Sequence, residues 1–296
     1  MDNEISVQKS SKQAASSFLF LQLFILLFTM IVIPVFAISG NETIMVELGS
    51  SVVMILAVIV VAKMYKKRFA IRIMHSTKGL DAKLILKASV IFIGINFLTT
   101  VVFSVLDALL SLVGYQFHVL EQVTPSEQVS MNIIIAITTM MIAPIVEEIY
   151  FRGVLLNGLK RHGVMFALIV SSFIFGFSHG SIPQGMAIFL ASFVLGYLFI
   201  RTNNIVPGII VHMINNLFAV VNLLFQDQIV IVGICTVIFT CCGLYTLYFL
   251  FKNHKQIKQY RDDHKGASVS DFFNNWQAVV ALIIIVLSML PIITKL

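Results

Sequence analysis

Apolar residues run through this chain in long unbroken stretches separated by short polar punctuation. The pattern has neither the two-residue alternation of a half-buried strand nor the narrow stripe of a soluble amphipathic helix. A helix rises about 1.5 Å per residue and the hydrocarbon core of a bilayer is about 30 Å thick, so roughly 20 consecutive apolar residues predict a spanning helix. On that criterion helices are expected near residues 17–38, 46–65, 84–113, 131–156, 164–180, 184–201, 205–225, 228–251 and 277–294, about nine spans in all. The third is long enough to tilt or to break near Gly114, and Pro144 interrupts the fourth, so their boundaries are the least sharply drawn. The first stretch, Ser17 to Ser39 behind Lys9 and Lys12, has the charge layout of a signal peptide. It exceeds the about 7–15 residues of a signal h-region, however, and reads as an uncleaved first transmembrane helix.

Composition agrees with this reading: of 296 residues, 58% are hydrophobic and only 11% charged, and the mean hydropathy is +0.96. A disordered chain, an ordinary soluble enzyme and a separate soluble domain are thereby excluded. The net charge of +6 and the pI of about 9.2 would point to nucleic acid in a soluble protein, but the positions of the charges explain them otherwise. Cytoplasmic loops of membrane proteins collect Lys and Arg. Lys9 and Lys12 precede the first span; Lys63, Lys66, Lys67, Arg68, Arg72, Lys78, Lys83 and Lys87 surround the second loop. Arg152, Lys160 and Arg161, then Arg201, then Lys252, Lys255, Lys258, Arg261 and Lys265 mark alternate later connections. The connections around Asn41, from Tyr115 to Ser130, around Ser181 and around Gln226 have none. Nineteen of the 20 basic residues thus fall on one side, with Lys295 opposite, which predicts a multi-pass cell-membrane protein with a cytoplasmic N-terminus. The expected surroundings are a lipid bilayer and no nucleic acid; the sequence sets no oligomeric state.

Cys235, Cys241 and Cys242 share one apolar run without a C-x-x-C pair and read as small buried hydrophobes. Ionisable groups at membrane depth are more informative, because each costs several kcal/mol on insertion scales and so marks function by default. Of the acids and histidines, only Asp107, Glu147, Glu148, His179 and His212 fall well inside the expected spans, whereas His75, His118, His162, His254 and His264 belong to loops or loop-facing segments. In the run Glu147-Glu148-Ile149-Tyr150-Phe151-Arg152-Gly153, Glu148 and Arg152 are four apart and share a helix face, where an ion pair reduces the cost of both charges. Glu147 points about 100° away with no such partner, which suits a general base that takes up and returns a proton. His179 ends the fifth apolar run beside Gly180, and His212 and Asn216 share one face of the seventh, offering neutral donors that can polarise a carbonyl or hold an oxyanion. The competing readings are glutamates solvated at the interface with Arg152 snorkelling to phosphates, and histidines and asparagine as polar glue between helices. Glu and His side chains could also hold zinc, but there is no H-E-x-x-H spacing, so a metal is neither required nor excluded.

The runs EEIYFRG from Glu147 to Gly153, F-x-x-x-H from Phe175 to His179, and H-x-x-x-N from His212 to Asn216 resemble the motifs of the CAAX protease and bacteriocin-processing (CPBP, or Abi) family of intramembrane proteases. The resemblance covers about Met131 to Phe225 and implies an all-α polytopic membrane bundle of eight to nine helices with the active site inside it. It divides the chain into N-terminal helices (1–130), a catalytic core (131–225) and C-terminal helices with a basic cytoplasmic loop (226–296). It also implies endopeptidase activity on a membrane-associated peptide or protein. Glu147 with His179 would activate water, His212 and Asn216 would stabilise the tetrahedral oxyanion, and Glu148 and Arg152 would support the site. Members of the family are often described as metalloproteases, but a glutamate-dependent mechanism that needs no catalytic metal is the preferred expectation, with zinc the alternative. A non-catalytic bacteriocin self-immunity or scaffold protein of the same fold is the main alternative function. A transporter using Asp107 in a proton relay is a weaker one, since no internal repeat is visible. One geometric difficulty accompanies the assignment. Glu147 is expected toward the cytoplasmic end of the fourth span and His179 toward the opposite end of the fifth, which upright helices would hold about 20 Å apart. Strong tilt, a short fifth helix or a re-entrant turn at Gly176 and Gly180 would be needed to join them.

Overall fold

A computed structural model of the chain describes residues 2–37, 42–66, 76, 80–117, 125 and 128–295. The elements are α1 (Asp2–Ala37), α2 (Glu42–Lys66), α3 (Ala82–Ser111), β1 (Tyr115–Phe117), a long composite helix α4 (Val129–His162), α5 (Val164–Phe177), α6 (Ile182–Thr202), α7 (Val206–Leu224), α8 (Ile229–Asp263), a short α9 (Val269–Phe273), α10 (Trp276–Ser288) and β2 (Ile293–Lys295). The chain is an all-α polytopic membrane bundle. Among the described residues α3, α4, α6, α7 and α8 are long and apolar enough to cross a membrane, and Val52–Tyr65, Val164–Phe177 and Trp276–Ser288 are shorter apolar helices. Asn41, His75, His118, Lys67, Arg68, Arg72 and Lys78, on which part of the side-to-side charge alternation rests, lie outside the described residues.

Packing follows the small and apolar faces. α1 lies against α2, α9 and α10, while α3 crosses α6, α7 and α8, and α5 and α6 form the tightest neighbouring pair. The main core joins Phe18 of α1, Val58 of α2, Tyr150, Val154 and Leu155 of α4, Phe166 and Phe175 of α5, and Ala281 of α10. A second cluster, Phe92, Ala191, Leu195 and Val211, fastens α3 to α6 and α7. Close approach between α5 and α6 depends on Gly176, where a Cβ would come within 2.5 Å of the Gly185 carbonyl oxygen and 2.6 Å of the Phe189 nitrogen.

Several boundaries differ from the hydropathy reading, each for an identifiable reason. Helix α1 begins fifteen residues before the apolar run because Val7, Ser10, Ser11, Ala14, Ala15 and Phe18 form a buried face of mainly small residues, which a hydropathy window does not register. Helix α8 continues past its apolar stretch through Lys252, Lys255, Lys258 and Arg261, so most of the expected basic loop is an exposed helical extension. Cys241 is exposed on α8 whereas Cys235 and Cys242 are buried, so only two of the three cysteines are core residues; all three are free thiols. The strand pair β1–β2, with Tyr115 opposite Lys295 and Phe117 opposite Ile293, had no counterpart in the hydropathy pattern because each strand is three residues long. Asp107 accepts the Phe117 backbone N–H at 2.7 Å and so supports this sheet at the end of α3.

The α4–α5 hairpin turns at Gly163, whose φ of 134° only glycine adopts without strain. The segment after α8 clasps this turn: Met165 N–H donates to His264 O at 3.0 Å and Ala267 N–H to His162 O at 2.8 Å. On its inner side His162 Nε2 lies 2.8 Å from Ser10 Oγ of α1.

Replacing Gly176 with Val should destabilise the bundle by about 1–3 kcal/mol through overpacking. Gly233→Ala, at a position with nothing within 4 Å of the added carbon, should leave the thermal midpoint unchanged or raise it. Thermal unfolding of both variants in detergent micelles checks the contrast.

Candidate active site

The expected separation of Glu147 and His179 disappears once the true ends of α4 and α5 are known. Helix α4 runs to His162 instead of ending near 156, so both residues stand sixteen positions from the turn at Gly163. Near-equal counts on the two arms of an antiparallel hairpin bring both residues toward the same end of it. The ring contact of Phe151 with Phe175, centroids 4.6 Å apart, sits one turn lower on each helix and fixes this register. Helix α5 is also short, ending at Phe177, and His179 follows in a turn closed by its own N–H on Gly176 O.

Helix α4 is not uniform. It is α-helical over Val129–Ile137, widens to π over Thr138–Ile142, returns to α over Ala143–Glu148 and widens again over Ile149–Leu156. Pro144 accounts for the first widening, since it has no N–H and its ring clashes with the carbonyl four residues back. Ala143 N–H accordingly donates to Thr138 O, five residues back. The second π segment carries Arg152 and closes with Asn157 N–H on Arg152 O. Such wide turns cluster at functional sites.

Glu148 and Arg152 form the ion pair expected from their spacing, Nη1 to Oε1 at 2.6 Å, with side chains 0% and 2% exposed. Arg152 is therefore not a snorkelling residue at a solvated surface. Its Nη2 donates to Ser192 O of α6 at 3.4 Å, and its guanidinium carbon lies 4.6 Å from the centre of the Phe175 ring. Both contacts disperse the charge, and the stacking arrangement is one that guanidinium favours.

His212 of α7 stands between the two carboxylates. Its Nε2 is 3.7 Å from Glu147 Oε2 and its Nδ1 is 3.5 Å from Glu148 Oε1. The gap on the Glu147 side is too long for a direct hydrogen bond and short enough for a substrate or water oxygen to mediate. Glu148 Oε2 and His212 Nδ1 are buried without a hydrogen-bond partner. His179 Nδ1 lies 2.9 Å from Phe175 O. A carbonyl only accepts, so Nδ1 carries a proton, which in the neutral ring leaves the lone pair on Nε2. The Phe175 ring touches both imidazoles edge-on, centroids 5.2 Å from His179 and 5.8 Å from His212. Asn216, one turn beyond His212, donates through Nδ2 to Thr139 O at 2.9 Å.

The carboxylate–imidazole group is thus gathered from α4, the end of α5 and α7. Asp107 is apart from it, bonded to Phe117 at the β1 end of α3. Sequence reasoning missed two supporting positions. Gly208, one turn before His212, faces Glu148 so closely that a Cβ there would lie 2.9 Å from Oε2. Asn96 of α3 donates to Asn215 Oδ1 at 3.4 Å, and its only signal in the sequence was being an amide inside an apolar run. No three His, Cys, Asp or Glu side chains among the described residues stand in an arrangement that could hold a metal ion, and Glu148 is already engaged by Arg152. An apolar cavity of about 420 Å³ lies between α2 and α4, lined by Ile55, Val58, Ile142, Ile145 and Ile149 among others. These α4 residues occupy the helix face turned away from Glu147.

Fold and site together define a helical membrane protein with a buried carboxylate–imidazole centre. Comparison with known proteins agrees: residues 129–218 match the family model described as Type II CAAX prenyl endopeptidase Rce1-like. Every candidate site residue from Glu147 to Asn216 lies inside that range. A Bacillus subtilis (strain 168) protein named "Putative membrane peptidase YdiL" is 31% identical over 86 residues, which cover 29% of this chain and 35% of that protein. The match therefore spans about a third of the curated relative. No solved structure matches. Over residues 129–218 the chain is therefore similar to the CAAX prenyl endopeptidases, in the segment that carries the three motifs.

Removing one member of a buried ion pair leaves an uncompensated charge and costs about 3–5 kcal/mol. Arg152→Met should destabilise the protein on that scale, and Glu148→Gln combined with Arg152→Met should recover a large part of the loss. Chemical denaturation in mixed micelles, compared across the three proteins, tests this.

Proposed function

We propose that this protein is an intramembrane endopeptidase that hydrolyses a peptide bond of a membrane-associated peptide or protein. The observation that carries the reading is the His212 imidazole held between Glu147 and Glu148, with the Phe175 ring touching both it and His179. The family match over the same segment, and a relative named as a membrane peptidase, support it. Glu147, assisted by His179, takes a proton from water as the water oxygen bonds to the scissile carbonyl carbon. The carbonyl oxygen becomes an oxyanion that accepts hydrogen bonds from His212 and Asn216. When the carbon–nitrogen bond breaks, the proton held by Glu147 passes to the leaving amine, and a carboxylic acid is released. Glu148 and Arg152 orient His212 and balance charge; they do not touch the substrate. No metal is needed for these steps. The distribution of Lys and Arg supports a cell-membrane location with the N-terminus cytoplasmic.

Purified protein in lipid, offered CAAX-type and leader-type peptides, should cleave at least one class. Glu147→Gln should lower kcat by about 10²–10⁴-fold, the usual range for a lost general base. Asp107→Asn should retain activity, because Asp107 is engaged in the β1 support away from the site. Undiminished cleavage by Glu147→Gln overturns the reading. Protection from a toxic peptide that persists in Glu147→Gln favours a non-catalytic immunity role instead.

A further inference from the structure

The π turn in α4 takes from the Thr139 carbonyl its ordinary helical donor. In an α-helix Thr139 O would accept from Ala143 N–H, but that N–H goes to Thr138 O. In the wider register the next donor in line would be residue 144, which is a proline and has none. An unsatisfied carbonyl in a water-poor bundle costs several kcal/mol, so a donor from elsewhere is strongly favoured. Asn216 Nδ2 supplies it at 2.9 Å.

That bond also determines which way round the Asn216 amide sits. The reversed amide would set two acceptor oxygens against each other. The opposite end is held as well: Asn216 Oδ1 accepts from Asn215 Nδ2 at 3.2 Å. Asn215 Oδ1 in turn accepts from Asn96 Nδ2 at 3.4 Å, and the same Asn96 nitrogen donates to Phe92 O at 3.2 Å. A chain of three amides thus runs from α3 through α7 to the broken turn of α4, with every donor and acceptor direction set by a backbone carbonyl at each end.

We propose that Pro144, Thr139, Asn215 and Asn96 are positioning residues that hold the Asn216 amide with its second N–H available to the oxyanion. Pro144 does this by withholding a backbone donor, so the helix defect is what pins the side chain. The catalytic consequence rests on the peptidase reading above; the orientation of Asn216 stands without it.

The orientation is tested by a double-mutant cycle on thermal unfolding of the full chain in lipid nanodiscs. Asn216→Leu alone should lower the midpoint by about 3 °C, the shift expected for one lost buried hydrogen bond in a protein of this size. In a Pro144→Ala background the same change should have much less effect, because the backbone N–H restored at position 144 can serve Thr139 O. Equal shifts in the two backgrounds overturn the proposal. The catalytic arm uses Asn96→Ala and Asn215→Ala. Each should lower kcat about tenfold or more with KM within twofold, as befits an interaction realised in the transition state. Asn96→Gln, which keeps the donor, should recover part of the loss. Wild-type kcat in both alanine variants, or losses confined to KM, overturns the positioning role. Wild type and Glu147→Gln equally inactive on every peptide defeats the peptidase reading instead, and the thermal cycle then still decides the orientation of Asn216.

Discussion

A full charge inside a helical bundle is tolerated only beside an opposite one, and the Glu148–Arg152 pair is the contact on which the rest of this structure turns. Both side chains are almost completely buried. Arg152 reaches from α4 to the Ser192 carbonyl of α6 and the Phe175 ring of α5, and Glu148 lies against Gly208 and His212 of α7. Four helices therefore meet around one ion pair. Because that pair consumes most of the charge of Glu148, Glu147 instead faces the His212 imidazole. Two adjacent residues of the same type thus acquire different environments from nothing more than a 100° turn of the helix.

The hairpin about Gly163 supplies the second constraint. Its two arms bring Glu147 and His179 toward the same end, where the Phe175 ring touches Phe151, His179 and His212. The turn itself is gripped from two directions, by Ser10 of α1 and by the backbone of residues 264–267. Gly163 and Gly266 approach so closely that a Cβ on either would meet the other's Cα within 2.4 Å. The segments outside the matched region are thereby tied to the core: α1 and the segment that follows α8 brace the base of the hairpin that carries the candidate site.

Helix α4 links this frame to its chemistry through its irregularities. A regular helix would satisfy its own backbone and offer nothing to a neighbour. The widened turn before Pro144 releases a carbonyl, and a side chain of α7 is recruited to it. Defects of this kind are costly in isolation and persist only where surrounding contacts compensate, here through Asn216, Asn215 and Asn96. The apolar cavity beside α2 shows the opposite character: it is lined almost wholly by branched aliphatic side chains and shares the helix but not the face of Glu147.

The amino-acid sequence alone determined the class of architecture, because runs of about 20 apolar residues have few other stable solutions. It also determined the Glu148–Arg152 pairing, since four-residue spacing on a helix is a local property. The candidate chemistry at Glu147, His179, His212 and Asn216 was legible as well, as polar residues that a bilayer does not otherwise tolerate. The tertiary structure decided what depends on residues distant in the chain. It showed that α1 starts at Asp2, since the buried Ser and Ala face is apolar only in the company of α4 and α9. It set the depth of His179 against Glu147, which hinged on where α4 ends. It also placed Gly208 against Glu148, the Thr139 carbonyl against Asn216, and Asn96 against Asn215. Pro144 could be read in advance as a break in the helix, but which carbonyl the break would free, and that an amide of α7 would lie within reach of it, is a matter of how the helices pack.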